Sequence, residues 1–193
     1  DGDVEKPGLG VTGDLSSVRA VFHLAARFDF DLTVEDARRA NVDGTRHTMD
    51  VAASLPALER FVFLGGYRMT AKPRHADPYA SGAYEGSKHE AYGLFRRLAR
   101  ERSLPWTAVH PSAVIGDSRT GETRQVVGLG RTVERLFEGR LPALAGSSRT
   151  FVPVVTVDAL AAFLAAVPWD ADTVGKDLVA FDPSSPNLPE LVA

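Results

Sequence analysis

Cysteine is absent from all 193 residues, so the chain can form neither disulfide bonds nor thiolate metal sites. This absence fits a cytoplasmic protein, which is the location we expect. The five histidines lack the close spacing of metal ligands, and no metal site is predicted. The longest apolar run, Ala159–Val167, is too short to cross a bilayer, so no membrane span is expected.

The chain also lacks a large excess of either charge. It has 22 basic and 25 acidic residues, and both signs are dispersed along the sequence. A nucleic-acid groove needs a basic patch, and no such patch is visible. With 44% hydrophobic residues, the chain is long enough to bury one good core. We therefore expect one domain over residues 1–193 and no nucleic-acid partner.

Short apolar runs alternate with longer segments that have apolar residues at helical spacing. The predicted strands are Val18–Ala25, Phe61–Leu64, Trp106–His110, Phe151–Val157 and Leu178–Phe181. The predicted helices are Val34–Ser54, Ser81–Ser103, Arg124–Glu138 and Asp158–Val167, with Asp158 as an N-cap. This alternation predicts an α/β fold with a doubly wound parallel sheet. A turn-rich exit is expected at Pro183–Pro189.

Ligands of such sheets bind at the carboxyl ends of the strands, so the residues just after each strand are candidates for a site. They are Leu24–Ala26, Gly65–Tyr67 and Pro111–Gly116. Two histidines, His23 and His110, lie inside predicted strands, where hydrogen-bonded core residues are a better interpretation than catalytic ones.

The segment Gly8–Gly13 spells G-x-G-x-x-G, the pattern of dinucleotide-binding loops. That loop functions after a strand and at the start of a helix, whose N-terminus meets the pyrophosphate. Here the preceding residues are charged and include Pro7, and only Asp14–Val18 separates the glycines from the next strand. We therefore interpret this segment as an ordinary loop.

Tyr84 and Lys88 are four residues apart in a predicted helix, so their side chains share one face. A free tyrosine titrates near pH 10, which makes it a poor acid or base at neutral pH. A nearby cation lowers the pKa of a phenol toward the range in which proton transfer is efficient. A core tyrosine next to a surface lysine is the alternative, because this pattern is short.

Other segments occur in a recognisable order around this pair. They are Gly2-Asp3-Val4 with Lys6-Pro7-Gly8-Leu9-Gly10, His23-Leu24-Ala25-Ala26, Asn41-Val42-Asp43-Gly44-Thr45 and Pro111-Ser112-Ala113-Val114-Ile115-Gly116. Together with Tyr84 and Lys88, they resemble the extended short-chain dehydrogenase/reductases over nearly the whole chain. Within that superfamily, the branch of thioester reductases and fatty acyl-CoA reductases is the most similar.

The resemblance implies an enzyme that transfers a hydride between NADP or NAD and a carbonyl or alcohol carbon. Tyr84 would exchange the proton. Lys88 would lower its pKa and bind the ribose hydroxyls of the cofactor. Asn41 would help to hold a proton-relay water beside Lys88. The substrate would be a small carbonyl or acyl compound, and a homodimer is expected by analogy alone.

Further cofactor contacts are implied along the chain. Asp3 and Val4 would contact the adenine, Leu24, Ala25 and Ala26 would lie along the cofactor, and Pro111, Ser112 and Val114 would form a turn beside the nicotinamide. Residues 112–150 and 168–193 would form a small substrate-binding part interleaved with the Rossmann-like domain.

Two departures from the family pattern stand out. Gly65-Gly66 occupies the place of a Ser-Ser or Ser-Thr pair, of which one hydroxyl binds the substrate carbonyl. Either a backbone N–H, a water, Tyr67 or Ser112 substitutes for that hydroxyl, or catalysis is weakened.

The first βαβ unit with its glycine loop, roughly 60 residues, is also lacking. We expect it upstream of Asp1, the alternative being a partner that covers the sheet edge at Leu24 and Ala25.

Two other functions are therefore considered. A sugar-nucleotide epimerase or dehydratase would share the fold and use transient oxidation, although the Lys6–Gly10 segment argues against it. A cofactor-bound sensor or scaffold with weakened catalysis would account for Gly65-Gly66.

Overall fold

A computed structural model describes residues 1–29, 31–70, 75–123, 126, 128–140 and 146–192. The chain forms two compact units. The first comprises Asp1–His110 and Ala166–Leu178, and the second comprises Pro111–Ala165 and Val179–Ala193. The predicted substrate-side segment 112–150 lies in the second unit, whereas the segment 168–193 is divided between the two. Their role stays a prediction.

The first unit is built on a parallel sheet. Its strands are β1 (Ala20–His23), β2 (Arg60–Leu64), β3 (Trp106–Pro111) and, numbered in chain order, β6 (Asp177–Ala180). The order across the sheet is β1-β2-β3-β6, and β2 pairs in parallel with both β1 and β3. Phe61, Val62 and Phe63 are almost fully buried, as expected of a strand covered on both faces. The predicted parallel sheet is confirmed, although β1 ends at His23 rather than Ala25.

The helices of the first unit flank this sheet. They are α1 (Val34–Ala37), a π-helix (Arg38–Asp43), α2 (Gly44–Ser54) and α3 (Ala83–Glu101). Thr33 caps α1 by accepting a hydrogen bond from the Asp36 N–H. The prediction of one helix over Val34–Ser54 did not anticipate the π-helical turn, which interrupts it where Asn41 lies. The Tyr84 and Lys88 helix was predicted two residues too long at each end.

Helix α3 packs on the sheet through Phe95. The ring of Phe95 stacks on Phe63 with centroids 4.5 Å apart, and it meets Trp106 edge-on at 5.4 Å. Lys88, seven residues earlier on the same stripe, donates a hydrogen bond to the carbonyl of Leu64, the last residue of β2. The helix therefore runs antiparallel to β2, and its first turn lies at the carboxyl end of that strand.

The opposite end of β2 carries a buried arginine. Arg60 is 4% exposed, and its guanidinium donates to the hydroxyls of Thr107 and Thr173 and to the carbonyl of Val167. Burial lowers the pKa of Arg60, while the charge of Asp170 opposes that shift. These bonds fix the segment before β6 to the sheet.

In the second unit, β4 (Ala113–Ile115) pairs in parallel with β5 (Val154–Thr156). Its helices are α4 (Leu129–Phe137), α5 (Val157–Ala166) and α6 (Leu188–Val192). Among the predicted residues of α4, 124, 125 and 127 lie outside the described ranges. The strand β4 and the helix α6, which replaces part of the expected exit turn, were missed. None of the helices in the described ranges is long and apolar enough to cross a membrane.

Two details of the second unit correct the prediction. Phe151 is not part of β5 but forms an isolated antiparallel bridge with Asn187. Asp158 lies inside the first turn of α5, and its carboxylate accepts hydrogen bonds from the N–H and hydroxyl of Ser118. These bonds, the hydroxyl first, hold the pKa of Asp158 well below its usual range.

Candidate active site

Lys88 lies buried at the carboxyl end of β2. Its Nζ is 3.1 Å from the carbonyl oxygen of Leu64 and 5.6 Å from the centre of the Phe63 ring. The residue is 8% exposed, and burial lowers the pKa of Lys88 to about 8. The alternative of a surface lysine is therefore excluded. The ammonium remains largely protonated at pH 7 and constitutes a desolvated positive charge.

Tyr84 occupies the first turn of α3 and is half-buried. The ring of Phe28 meets it edge-on, with centroids 4.6 Å apart and an interplanar angle of 88°. Burial raises the pKa of Tyr84, and the negative charge of Glu85 adds to this shift. We expected Lys88 to lower this pKa; the pKa is raised instead, and Lys88 is not among the causes of the shift.

Asn41 is buried in the π-helix, and its amide bridges two other segments. Its Oδ1 accepts from the N–H of Arg27 at 2.7 Å, and its Nδ2 donates to the Arg27 carbonyl at 3.2 Å. The same Nδ2 donates to the hydroxyl of Ser87 at 2.9 Å, and Ser87 donates to the carbonyl of Tyr84. Asn41 is thus connected to the Tyr84 turn. Single-turn π-helical insertions are frequent at functional sites.

His23, at the end of β1, extends this network. Its Nε2 is 2.9 Å from the hydroxyl of Thr45, which itself donates to the backbone carbonyl of Asn41. Nε2–H is therefore the donor. Burial lowers the pKa of His23 to about 4, and the charge of Lys88 contributes. His23 is a neutral, hydrogen-bonded core residue, as predicted.

The residues expected near the adenine lie in an N-terminal turn. The Asp3 carboxylate is exposed, accepts from the N–H of Glu5 and pairs with Lys6. Val4 packs against Gly44, where a Cβ would lie 3.2 Å from the Cβ of Val4, and its carbonyl accepts from His47. Asp3 and Val4 are thus positioned over the start of α2.

The G-x-G-x-x-G segment forms a loop, as predicted. Residues Pro7–Gly10 make a short 3-10 turn in which Gly8 and Leu9 have φ values of 66° and 59°. The next regular element is β1, without a helix between them. This geometry is not that of a phosphate-binding loop.

The remaining cofactor candidates follow strands. Leu24, Ala25 and Ala26 are all exposed directly after β1. Pro111, Ser112 and Val114 belong to the second unit. Ser112 is buried, its N–H donates to the Ala180 carbonyl, and its hydroxyl has no hydrogen-bond partner within the described part of the chain. Their part in cofactor binding stays a prediction.

These residues fit the nicotinamide and ribose end of NAD(P). Lys88 offers a buried cation that donates one hydrogen bond to the Leu64 carbonyl, and an ammonium has further hydrogens for ribose hydroxyls. Leu24, Ala25 and Ala26 offer uncharged side chains directly after β1, the strand that pairs with β2. Across the described ranges, no group of three or more His, Asp or Glu residues is arranged to hold a metal ion.

The presence of a glycine at position 65 is explained by the packing of His110 next to it. A Cβ on Gly65 would lie 2.4 Å from Nδ1 of His110, whereas a Cβ on Gly66 would meet nothing within 4 Å. The imidazole is fully buried, and its Nε2 is 3.0 Å from the Asp177 carboxylate. His110 therefore fills the space that a side chain at position 65 would take. The sequence offered no signal for this pairing.

We predict different costs for two serine substitutions. Gly65→Ser should lower the free energy of unfolding by several kcal/mol, because the ring of His110 must move and its bond to Asp177 breaks. Gly66→Ser should cost less than about 1 kcal/mol, because the space is open. Urea denaturation of both variants measures the difference, and equal costs would contradict the packing described.

A second prediction concerns pH. The pKa of His23 is about 4 in the folded chain and about 6.5 when unfolded, so the unfolded state binds more protons between these values. Stability from this residue is complete above pH 6.5 and is lost as the pH falls toward 4, by up to roughly 1.4 kcal/mol per pH unit. His23→Asn should flatten this slope between pH 6.5 and 5 in denaturation experiments, and an unchanged slope would contradict it.

Comparisons with known proteins agree with this geometry. The chain is 28% identical over 173 residues to the NRPS-like oxidoreductase fscA of Fusarium equiseti, and 29% identical over 166 residues to the non-canonical nonribosomal peptide synthetase FrzA of Cladobotryum sp. These matches cover 83% and 77% of the chain but only 17% and 16% of the two relatives.

Solved structures share the fold. The terminal R domain of the myxalamid PKS-NRPS pathway superposes with a TM-score of 0.80 at 23% identity, covering 98% of this chain and 50% of that one. UDP-glucuronic acid 4-epimerase from Bacillus cereus, in complex with NAD, gives 0.69 at 14% identity, with 95% and 61% covered.

A family model for an NAD-binding domain, described as male sterility protein, matches residues 1–164. The chain therefore belongs to this NAD-binding family, within the extended short-chain dehydrogenase/reductases.

Proposed function

We propose that the protein is an NAD(P)-dependent oxidoreductase that transfers a hydride to or from a carbonyl or alcohol carbon, with an aldehyde, ketone or acyl thioester as the oxidised substrate. The observation that carries the proposal is the pair Tyr84 and Lys88, one helical turn apart at the carboxyl end of β2. The oxidoreductase among the relatives and the R domain of a biosynthetic pathway support this reaction class.

In this mechanism, Tyr84 is the acid of the reductive direction. Its raised pKa keeps the phenol protonated at neutral pH, so the hydroxyl is available to donate to a carbonyl oxygen, although it is a weaker acid than a free tyrosine. Lys88 would bind the ribose hydroxyls of the cofactor with its buried ammonium, one helical turn from Tyr84. A nicotinamide cofactor, when bound, supplies the hydride.

Asn41 would hold neighbouring segments of the site in place and would take part in the proton relay. Its amide holds the peptide of Arg27 and the hydroxyl of Ser87, so it fixes the loop after β1 against the first turns of α3. The roles of Asp3, Val4, Leu24–Ala26 and the Pro111 turn as cofactor contacts belong to the same proposal.

A second candidate is a cofactor-binding sensor or scaffold with weakened catalysis. The observation in its favour is that Gly65 has no room for a hydroxyl-bearing side chain while His110 keeps its position. The epimerase or dehydratase function shares the fold alone, at 14% identity to the epimerase compared above.

Removing the phenol hydroxyl tests the mechanism. We expect Tyr84→Phe to reduce kcat for NADPH- or NADH-dependent reduction of aldehydes and acyl-CoAs by at least about 100-fold, because general acid catalysis contributes 10²–10⁴. Cofactor affinity, measured by fluorescence titration, should change little.

The control is Tyr92→Phe, which alters a tyrosine on the same helix whose hydroxyl donates to Asp177. Turnover that survives Tyr84→Phe would remove Tyr84 as the acid. Saturable cofactor binding without turnover of any carbonyl substrate by the wild type would favour the scaffold.

The open space at Gly66 makes a gain of function testable. Gly66→Ser should raise kcat/KM for aldehyde reduction by about tenfold or more, because a hydroxyl that steadies developing oxyanion charge is worth 10²–10³ in rate. A folded Gly66→Ser variant without any increase would show that position 66 does not face the substrate carbonyl.

A further inference from the structure

Gly86 is buried inside α3, between Tyr84 and Lys88. Glycine is less favourable than alanine in a helix interior, so its presence here needs a reason. A Cβ on Gly86 would lie 2.4 Å from Cδ1 of Tyr79, and the three atoms nearest to that Cβ all belong to the Tyr79 ring. The glycine therefore allows the ring of Tyr79 to lie directly on the backbone of the turn that carries the phenol and the ammonium.

Tyr79 belongs to a short 3-10 turn, Pro78–Ser81, that leads into α3. Its N–H donates to the carboxylate of Asp77 at 2.9 Å, and its carbonyl accepts from the N–H of Gly82 at 3.0 Å. The carbonyl of Gly82 in turn accepts from the N–H of Gly86. The backbone and the ring of Tyr79 thus hold the same start of the helix.

The hydroxyl of Tyr79 reaches a second element of the candidate site. It donates to Oε2 of Glu90 at 2.6 Å, and Oε1 of Glu90 accepts from Arg38 at 2.7 Å. Burial and the hydrogen bond to Glu90 raise the pKa of Tyr79, so its hydroxyl stays a donor at neutral pH. Arg38 is the first residue of the π-helix, which also contains Asn41. The segment before α3 is therefore tied to the π-helix.

Two side-chain links thus join α3 to the π-helix. The first runs through Asn41 and Ser87, and the second runs through Arg38 and Glu90. The second link also includes the segment before α3, by way of Tyr79. Without the Tyr79 hydroxyl, the start of α3 would lose its tie to this second link.

We propose that Tyr79 is a positioning residue that fixes the first turns of α3, so that the Tyr84 hydroxyl is aimed at the reacting carbonyl. This inference rests on the proposed reductase function and deepens it. Proton transfer needs the acid within hydrogen-bond reach of the carbonyl oxygen, so a small shift of this turn reduces the rate. Tyr79 acts through the backbone of α3 and not by contact with the substrate.

The first test removes the hydroxyl of Tyr79 in the protein of full natural length. The assay uses whichever of propanal, decanal and acetyl-CoA the wild type reduces fastest. Tyr79→Phe should lower kcat about tenfold and change KM less than about twofold, because a misplacement of about 1 Å can cost about 100-fold in rate. An unchanged kcat, or a raised KM with an unchanged kcat, would overturn the proposal.

The matched control is Tyr92→Phe. The hydroxyl of Tyr92 also donates at 2.6 Å to a carboxylate, that of Asp177, which likewise pairs with an arginine, Arg96. The control therefore removes an equivalent hydrogen bond further along the same helix, and it should leave kcat and KM unchanged. Equal losses of kcat in the two variants would show a general effect of stability and would contradict a positioning role.

A second test addresses the contact of the ring with Gly86. Gly86→Ala should lower kcat at least as much as Tyr79→Phe, because the added Cβ displaces the ring. In a Tyr79→Ala background, Gly86→Ala should change kcat less than about twofold further, since two substitutions at one contact are not additive. Losses of kcat that multiply would show that the glycine does not accommodate the ring, and would overturn the proposal.

Failure of the reductase function is distinguishable from failure of this inference. If the wild type reduces no carbonyl compound, the proposed function fails. Hydrogen–deuterium exchange of residues 83–88 then tests the positioning role without turnover. Exchange of these amides should be faster in Tyr79→Phe than in the wild type and in Tyr92→Phe. Equal exchange rates in the three proteins would overturn the inference independently.

Discussion

The burial of one stripe of α3 against β2 determines where Lys88 and the turn that carries Tyr84 lie. Phe95 stacks on Phe63 in the core, and Lys88 lies two helical turns before Phe95 on the same stripe of the helix. A helix packed antiparallel to a strand brings its first turn to the carboxyl end of that strand. Hydrophobic packing thus places an ammonium and a phenol where parallel sheets bind ligands.

This placement has an electrostatic consequence for both groups. Burial disfavours the charged form of each, so the pKa of Lys88 falls to about 8 while the pKa of Tyr84 rises. At neutral pH these two positions therefore hold a cation and a neutral phenol. Asn41 and Ser87 add rigidity, since they link α3 to the π-helix and to the loop after β1.

The sequence predicted the parallel sheet and the α3 helix that carries Tyr84 and Lys88, because apolar periodicity and strand-helix alternation are local patterns. It did not predict the π-helical turn at Asn41, since one extra residue in a turn changes hydrogen bonding more than the apolar pattern. The raised pKa of Tyr84 has burial as its main cause, and Phe28, which contacts the Tyr84 ring, is distant in sequence. The spacing of residues along the sequence does not predict such tertiary contacts.

Gly65 is a second feature whose cause is a tertiary contact that the sequence pattern does not reveal. Asp177 accepts hydrogen bonds from His110 and Tyr92, so the start of β6, the end of β3 and helix α3 meet at one carboxylate. The imidazole held there leaves no room for a Cβ on Gly65. A glycine at that position is thus a packing requirement of His110, whereas Gly66 has open space. Packing therefore explains the glycine at position 65, whereas position 66 has space for a side chain.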